Sequence, residues 1–206
     1  LASVRDLVAL VLVFPPVGDE PWVVLAQFWC PEAKASQAVE REDAAPYRRW
    51  ADEGWIELTP GDVTDYDPVE QAVLEALASP RLQAVVVCPS NPFISIDPVL
   101  AVPGMRAALR AARVPVIAVS PLIGGKAVKG PTAKIMHELG LAATIDAVVA
   151  HYGALIDAYV VDHADAAAAA ALGIEFAVTN TLMRTLADRE RVAASVLELA
   201  GSLRAR

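Results

Sequence analysis

The chain has 206 residues, 55% of them hydrophobic, and a formal net charge of −8 at pH 7. That length can bury a sizeable core without disulfides or metals. The acidic balance argues against a broad nucleic-acid footprint, and no apolar run reaches the ~18 residues of a membrane-spanning helix. Cys30 and Cys88 stand far apart in no metal-like spacing and read as buried thiols of a cytoplasmic protein. The opening residues carry neither a basic start nor a small-residue cleavage site, so no secretory signal is read there.

In chain order, apolar runs at 7–14 and 22–29 flank Pro15-Pro16-Val17-Gly18-Asp19-Glu20, the pattern of a hairpin. A charged segment, 32–52, follows Pro31, with Tyr47 and Trp50 spaced to share one helical face. Gly54 fits a helix stop, and 55–59 reads as a short strand. Asp67 can cap a helix with Pro68 at its first position, and Val69, Val73, Leu74 and Leu77 form its apolar face.

Residues 82–88 are apolar and break into Pro89-Ser90-Asn91-Pro92-Phe93-Ile94-Ser95-Ile96-Asp97-Pro98. A helix is expected over 101–112. A second apolar run, 114–119, breaks into Ser120-Pro121-Leu122-Ile123-Gly124-Gly125-Lys126-Ala127-Val128-Lys129-Gly130-Pro131. Helices are expected at 132–139, at 145–151 with Thr144 as cap, and at 166–172 with Asp165 as cap. Strands are expected at 156–162 and 176–178, and a terminal helix at 188–203. Strands alternating with helices predict an α/β fold, a mostly parallel sheet flanked by helices. Ligands bind outside the carboxyl ends of parallel strands, where both polar loops emerge.

In those loops Ser90, Asn91, Ser95 and Ser120 supply amide and hydroxyl groups. Gly124 and Gly125 permit close backbone approach, and Lys126 and Lys129 bring positive charge. Such residues suit phosphates, although a Gly-Gly-Lys segment is also an ordinary turn. Asp157, Asp162 and Asp165 read as helix caps or solvated carboxylates, with orientation of a ligand or metal as the alternative. His137 reads as a surface or core-edge residue; His163 has no evident partner.

The wording of 89–96, of Leu100-Ala101-Val102-Pro103-Gly104-Met105-Arg106 and of 120–126 resembles the 2-phospho-L-lactate transferase family. His151-Tyr152-Gly153, Val161-Asp162 and Thr179-Asn180-Thr181-Leu182-Met183 extend the resemblance across about 70–206. It implies transfer of a phospholactyl-type group from a guanosine diphosphate carrier to a deazaflavin riboside, with release of GMP and with Mg²⁺. It implies donor-side contacts at Ser90, Asn91, Ser95, Ser120, Gly124, Gly125, Lys126 and Lys129. No residue is assigned as catalytic or as a metal ligand, and a homodimer is left open. The family's glycine-rich phosphate loop and early aspartate find no counterpart in 1–69, so a nucleotide-side half-site is expected.

The opening differs. Residues 6–14, Phe28-Trp29-Cys30-Pro31-Glu32, Pro46-Tyr47, Trp50, Gly54 and 59–66 resemble the nuclease half of phage terminase large subunits. That implies a hairpin and helix of ribonuclease-H-like character, and metal-dependent DNA cleavage is the alternative function. Asp6, Asp62, Asp65 and Asp67 are its remaining carboxylates, read here as solvated loops and caps. The chain is therefore divided into a terminase-like fragment, 1–67, and a transferase-like region, 68–206. An inactive chimera is the non-enzymatic alternative.

Overall fold

The computed structural model describes residues 8–14, 23–38, 46–63 and 65–204. Contacts divide the chain into two compact units, Leu1–Ala76 and Leu77–Arg206. The Pro15–Glu20 turn and Asp6 lie outside the described residues.

In the first unit, β1 (Val8–Phe14) and β2 (Val23–Pro31) pair antiparallel, the expected hairpin strands. Two short helices, α1 (Glu32–Ala38) and α2 (Tyr47–Asp52), precede β3 (Glu57–Thr59), which pairs parallel to β2. Gly54 ends α2 as expected, at φ 78°. Trp55 N–H reaches back to Trp50 O at 2.8 Å and Gly54 N–H to Ala51 O at 3.0 Å, the paired bonds of a Schellman stop. Tyr47 and Trp50 share a face, with ring centroids 5.8 Å apart and edge-to-face. Around them Cys30, Ala35 and Ile56 form a small core. Burial pushes the Cys30 thiol pKa up, and nearby Lys34 only partly opposes this. Three strands and two short helices do not by themselves single out a ribonuclease-H-like fold. The unit division falls in the last turn of α3 (Asp67–Ala78).

The second unit holds a parallel sheet in the order β4 (Val85–Val87), β5 (Val116–Val119), β8 (Ala158–Asp162), β9 (Glu175–Thr179). A small antiparallel hairpin, β6 (Leu122–Ile123) and β7 (Lys126–Ala127), follows β5. Every residue of β5 and β8 is buried, as in sheets covered on both faces. Successive side chains alternate between two cores. Val116, Ala118, Tyr159 and Val161 face one that includes Met136 of α6 (Thr132–Glu138) and Val148 of α7 (Ile145–Tyr152). Ile117, Val119, Ala158 and Val160 meet Val192, Val196, Leu199 and Ala200 of α9 (Leu186–Arg204) on the other.

Several boundaries depart from expectation. The helix read over 101–112 begins only at Met105, as α5 (Met105–Ala111), and a short helix, α4 (Asp97–Leu100), precedes it in what reads as loop. Gly104 between them takes φ 84°, which breaks a continuous helix. The alanine helix α8 spans only Ala166–Ala169. Thr144 precedes α7 in extended conformation but makes no capping bond; its hydroxyl is buried and unpartnered. Cys88 is exposed, not buried, because it lies past the end of β4.

Tyr159 is completely buried, and its hydroxyl has no hydrogen-bond partner. Burial drives its pKa far above the usual phenol range; neighbouring Ser120 opposes that shift without cancelling it. The Ser120 hydroxyl donates to Leu122 O at 3.0 Å and accepts from Leu122 N–H at 3.1 Å, which uses its proton and one of its two lone pairs. Tyr159→Phe removes an unsatisfied group, and the expected result in urea unfolding is a stability gain of about 1 kcal/mol. A loss of that size would reveal a hidden partner for the hydroxyl.

Candidate functional site

β4 and β5 are neighbours, so the segments starting at Cys88 and Ser120 leave adjacent strand ends. Segments after β8 and β9 leave the same edge and carry Asp162, Asp165, Asn180 and Thr181.

After β4, Ser90 is half-buried and Asn91 is buried. The Asn91 Oδ1 accepts from Phe93 N–H at 3.0 Å and from Ile94 N–H at 3.2 Å. It thus caps a helical turn over Pro92–Ile96 with proline at its first position, where no N–H is needed. The turn is wide: Ile96 N–H bonds Asn91 O at 3.2 Å, and Asp97 N–H bonds Pro92 O. Such i→i−5 turns are uncommon and frequent at functional sites. Ser95 is exposed on it, its N–H bonding Asn91 O at 3.1 Å. Asn91 Nδ2 is buried with no partner. The helix start therefore has its first N–H groups occupied, and the orphan donor is a side-chain amide.

The turn is clamped to α7 by residues that spacing did not reveal. His151 Nε2 lies 3.0 Å from both carboxylate oxygens of Asp97. Its ring centroid is 4.7 Å from that of Phe93, and Arg106 approaches the same carboxylate at 3.9 Å. Burial first, then the Asp97 charge, push the adjacent Tyr152 hydroxyl up to about 12. His151 was legible as part of a family-like motif, but its partner is 54 residues away.

After β5, Gly124 and Gly125 are the two central residues of the β6–β7 hairpin, with φ 54° and 73°. Positive φ at both positions is what a tight two-residue hairpin demands. A Cβ on Gly125 would lie 3.2 Å from Ala143 O, so glycine is needed there sterically as well. Gly124 N–H donates to Asp165 Oδ2 at 2.9 Å, so that amide is taken. Lys126 and Lys129 are exposed, and neither is ion-paired among the described residues. Among the described residues, Ser95 reaches another candidate only through its N–H to Asn91 O, and no hydrogen bond links Lys129 to the others.

The three aspartates serve structure. Asp157 Oδ2 accepts from Val116 N–H at 2.8 Å. Asp165 makes no capping bond to the helix it precedes, contrary to expectation, because its carboxylate is turned to Gly124 N–H. Asp162 accepts from Ala164 N–H at 3.0 Å, Thr181 N–H at 2.9 Å and the Thr181 hydroxyl at 3.2 Å. Burial alone would raise its pKa, but these bonds and nearby His163 outweigh burial and lower it. His137 and His163 are exposed. In the first unit, Asp65 Oδ1 accepts from Asp67 N–H at 3.0 Å, a local turn. Among the described residues, no three His, Cys, Asp or Glu side chains are grouped to hold a metal ion.

The family model for 2-phospho-L-lactate transferase CofD matches residues 50–195, well over half of the chain. The chain belongs to this family. A 2-phospho-L-lactate transferase of Methanocaldococcus jannaschii is 37% identical over 136 residues, covering 66% of this chain and 42% of that protein. A phosphoenolpyruvate transferase of Kitasatospora aureofaciens is 41% identical over 136 residues, covering 64% and 42%. Another, of Streptomyces coelicolor, is 35% identical over 164 residues, covering 74% and 51%. The chain spans less than half the length of the first two relatives. Among solved structures, the large terminase of bacteriophage HK97 matches with a TM-score of 0.38 and 23% identity, over 66% of this chain and 26% of that one.

Within the family's matched region, Asp162 ties two strand-end segments together. Asp162→Asn is expected to cost about 1–3 kcal/mol at neutral pH. Because the folded pKa is lowered, this stabilisation is present above the unfolded carboxylate value of about 3.9 and fades as pH falls through the folded value. Unfolding curves of both proteins from pH 7 downward should therefore converge below about pH 4.

Proposed function

We propose that this chain carries the donor side of a 2-phospho-L-lactate transferase-type reaction. A phospholactyl-type group moves from a guanosine diphosphate carrier to a deazaflavin riboside, and GMP leaves. The observation that carries this reading is the buried, unpartnered Asn91 Nδ2 at the end of β4, in a chain whose family membership is established. A buried donor left unpaired costs about 1–3 kcal/mol, and a phosphate or nucleobase oxygen is a partner that recovers it. Nδ2 is sealed from solvent in the free chain, so the oxygen reaches it with a local shift of the turn.

Asn91 and Ser120 flank the donor from adjacent strand ends, with Ser90 and Ser95 beside Asn91. Gly124 and Gly125 act through shape: their hairpin presents Lys126 and, just beyond it, Lys129. The two ammonium groups neutralise diphosphate charge in an otherwise acidic protein. Relatives named for phospholactate and for phosphoenolpyruvate both bear a three-carbon phospho-acid in their names, so the transferred acid belongs to that class.

Asp97, Asp162 and Asp165 are turned to His151, Thr181 and Gly124 respectively. Among the described residues no three carboxylate, His or Cys groups gather to hold an ion, so Mg²⁺ enters with the nucleotide and is held mainly by its phosphates. The transferase-like region is read over 68–206, with the family match beginning at residue 50, and the sequence of 1–69 holds no glycine-rich phosphate loop. The acceptor's contacts lie outside the two loops described.

The test is calorimetric titration of GDP with Mg²⁺ into the folded chain. Weak binding, near millimolar, is expected. Lys126→Ala should weaken it by about 1–2 kcal/mol. Asn91→Asp keeps the capping oxygen but removes the amide donor, so it should preserve the fold and abolish binding. Absence of heat from the unmodified chain at millimolar GDP would refute the assignment.

A further inference from the structure

The amino ends of β5 and β8, opposite the loops above, border a cleft of about 620 Å³. That is the size of small-molecule sites. Three arginines line it from separated parts of the sequence: Arg110 on α5, Arg113 just beyond it, and Arg204 at the end of α9. None is ion-paired among the described residues. Asp157, also in the lining, has one oxygen turned to Val116 N–H. Three guanidiniums against one carboxylate leave a local charge of +2 in a chain of net −8. Leu155 and Leu203 supply apolar wall.

Two of the charges have a structural use, since Arg110 and Arg204 lie in the last turns of their helices and offset the dipole there. Arg113 is different. It is the one non-glycine residue with positive φ among the described residues, at 50°, just past a helix end where glycine is the unstrained choice. An arginine held in strained backbone beside two others, their charge outweighing that of Asp157, is arranged for an anionic ligand. Guanidinium forks match phosphate oxygens in pairs.

We propose that this cleft binds a small phosphate monoester with an apolar body, the dianion facing the arginines and the body facing Leu155 and Leu203. The site is separate from the donor loops and does not depend on their assignment. The probe is phenyl phosphate, followed by amide chemical shifts of the isotope-labelled chain. Shifts centred on Arg110, Arg113, Ala154 and Arg204 are expected, with little response to neutral phenol. The double variant Arg110→Gln, Arg204→Gln should lose roughly tenfold or more in affinity. Its unchanged circular dichroism would show that the fold is kept. No shifts in this cleft at about 10 mM probe, an equal response to phenol, or unaltered affinity in the folded double variant would each overturn the proposal.

Discussion

The second unit depends on one constraint, the parallel pairing of β5 with β8 under complete burial on both faces. Parallel ladders have no exposed face to spend on polar residues, so their strands read as apolar runs. Because side chains alternate, a slip of one residue would move Ile117 and Val119 into the core built for Val116 and Ala118. Register is therefore fixed by packing, and with it the height at which Ser120 and Asp162 emerge. Everything at the carboxyl edge inherits its position from those two strands.

At that edge, carboxylates hold backbone in place. Asp165 reaches Gly124 across 41 residues, and Asp162 reaches Thr181 across 19. Both bonds are charge-assisted, the stronger kind. They join segments leaving neighbouring strands, so the edge is braced from within. The same bonds withdraw groups that looked available for ligand: Gly124 N–H, both oxygens of Asp162 and Oδ2 of Asp165 are engaged. What remains for ligand is side-chain chemistry on the β4 and β5 side.

The apolar runs made the strands legible, since 82–88, 114–119 and 156–162 each contain an observed strand. Family wording made the loops legible as a site. Glycine positions were legible where a helix stops, as at Gly54. Long-range pairing was not. Asp165 preceding a helix reads locally as a cap, but the Gly124 amide competes for it and wins. The Asp97–His151 pair escaped for the same reason: local pattern records propensity, whereas tertiary partners decide where a polar group is finally satisfied.

Asn91 shows how stability and function separate at one residue. Its Oδ1 caps two amides, a contribution of about 1 kcal/mol. Its Nδ2 is an orphan, a penalty of about 1–3 kcal/mol. The penalty equals or exceeds the gain, so folding alone does not favour asparagine here. An aspartate would cap the same amides without an orphan donor, and its charge would suit a helix start. Its negative charge would, however, repel a phosphate-bearing donor. Asparagine keeps the cap, avoids that repulsion and leaves one donor waiting for an oxygen. The unfavourable half of its energetics is thus what a ligand repays on binding.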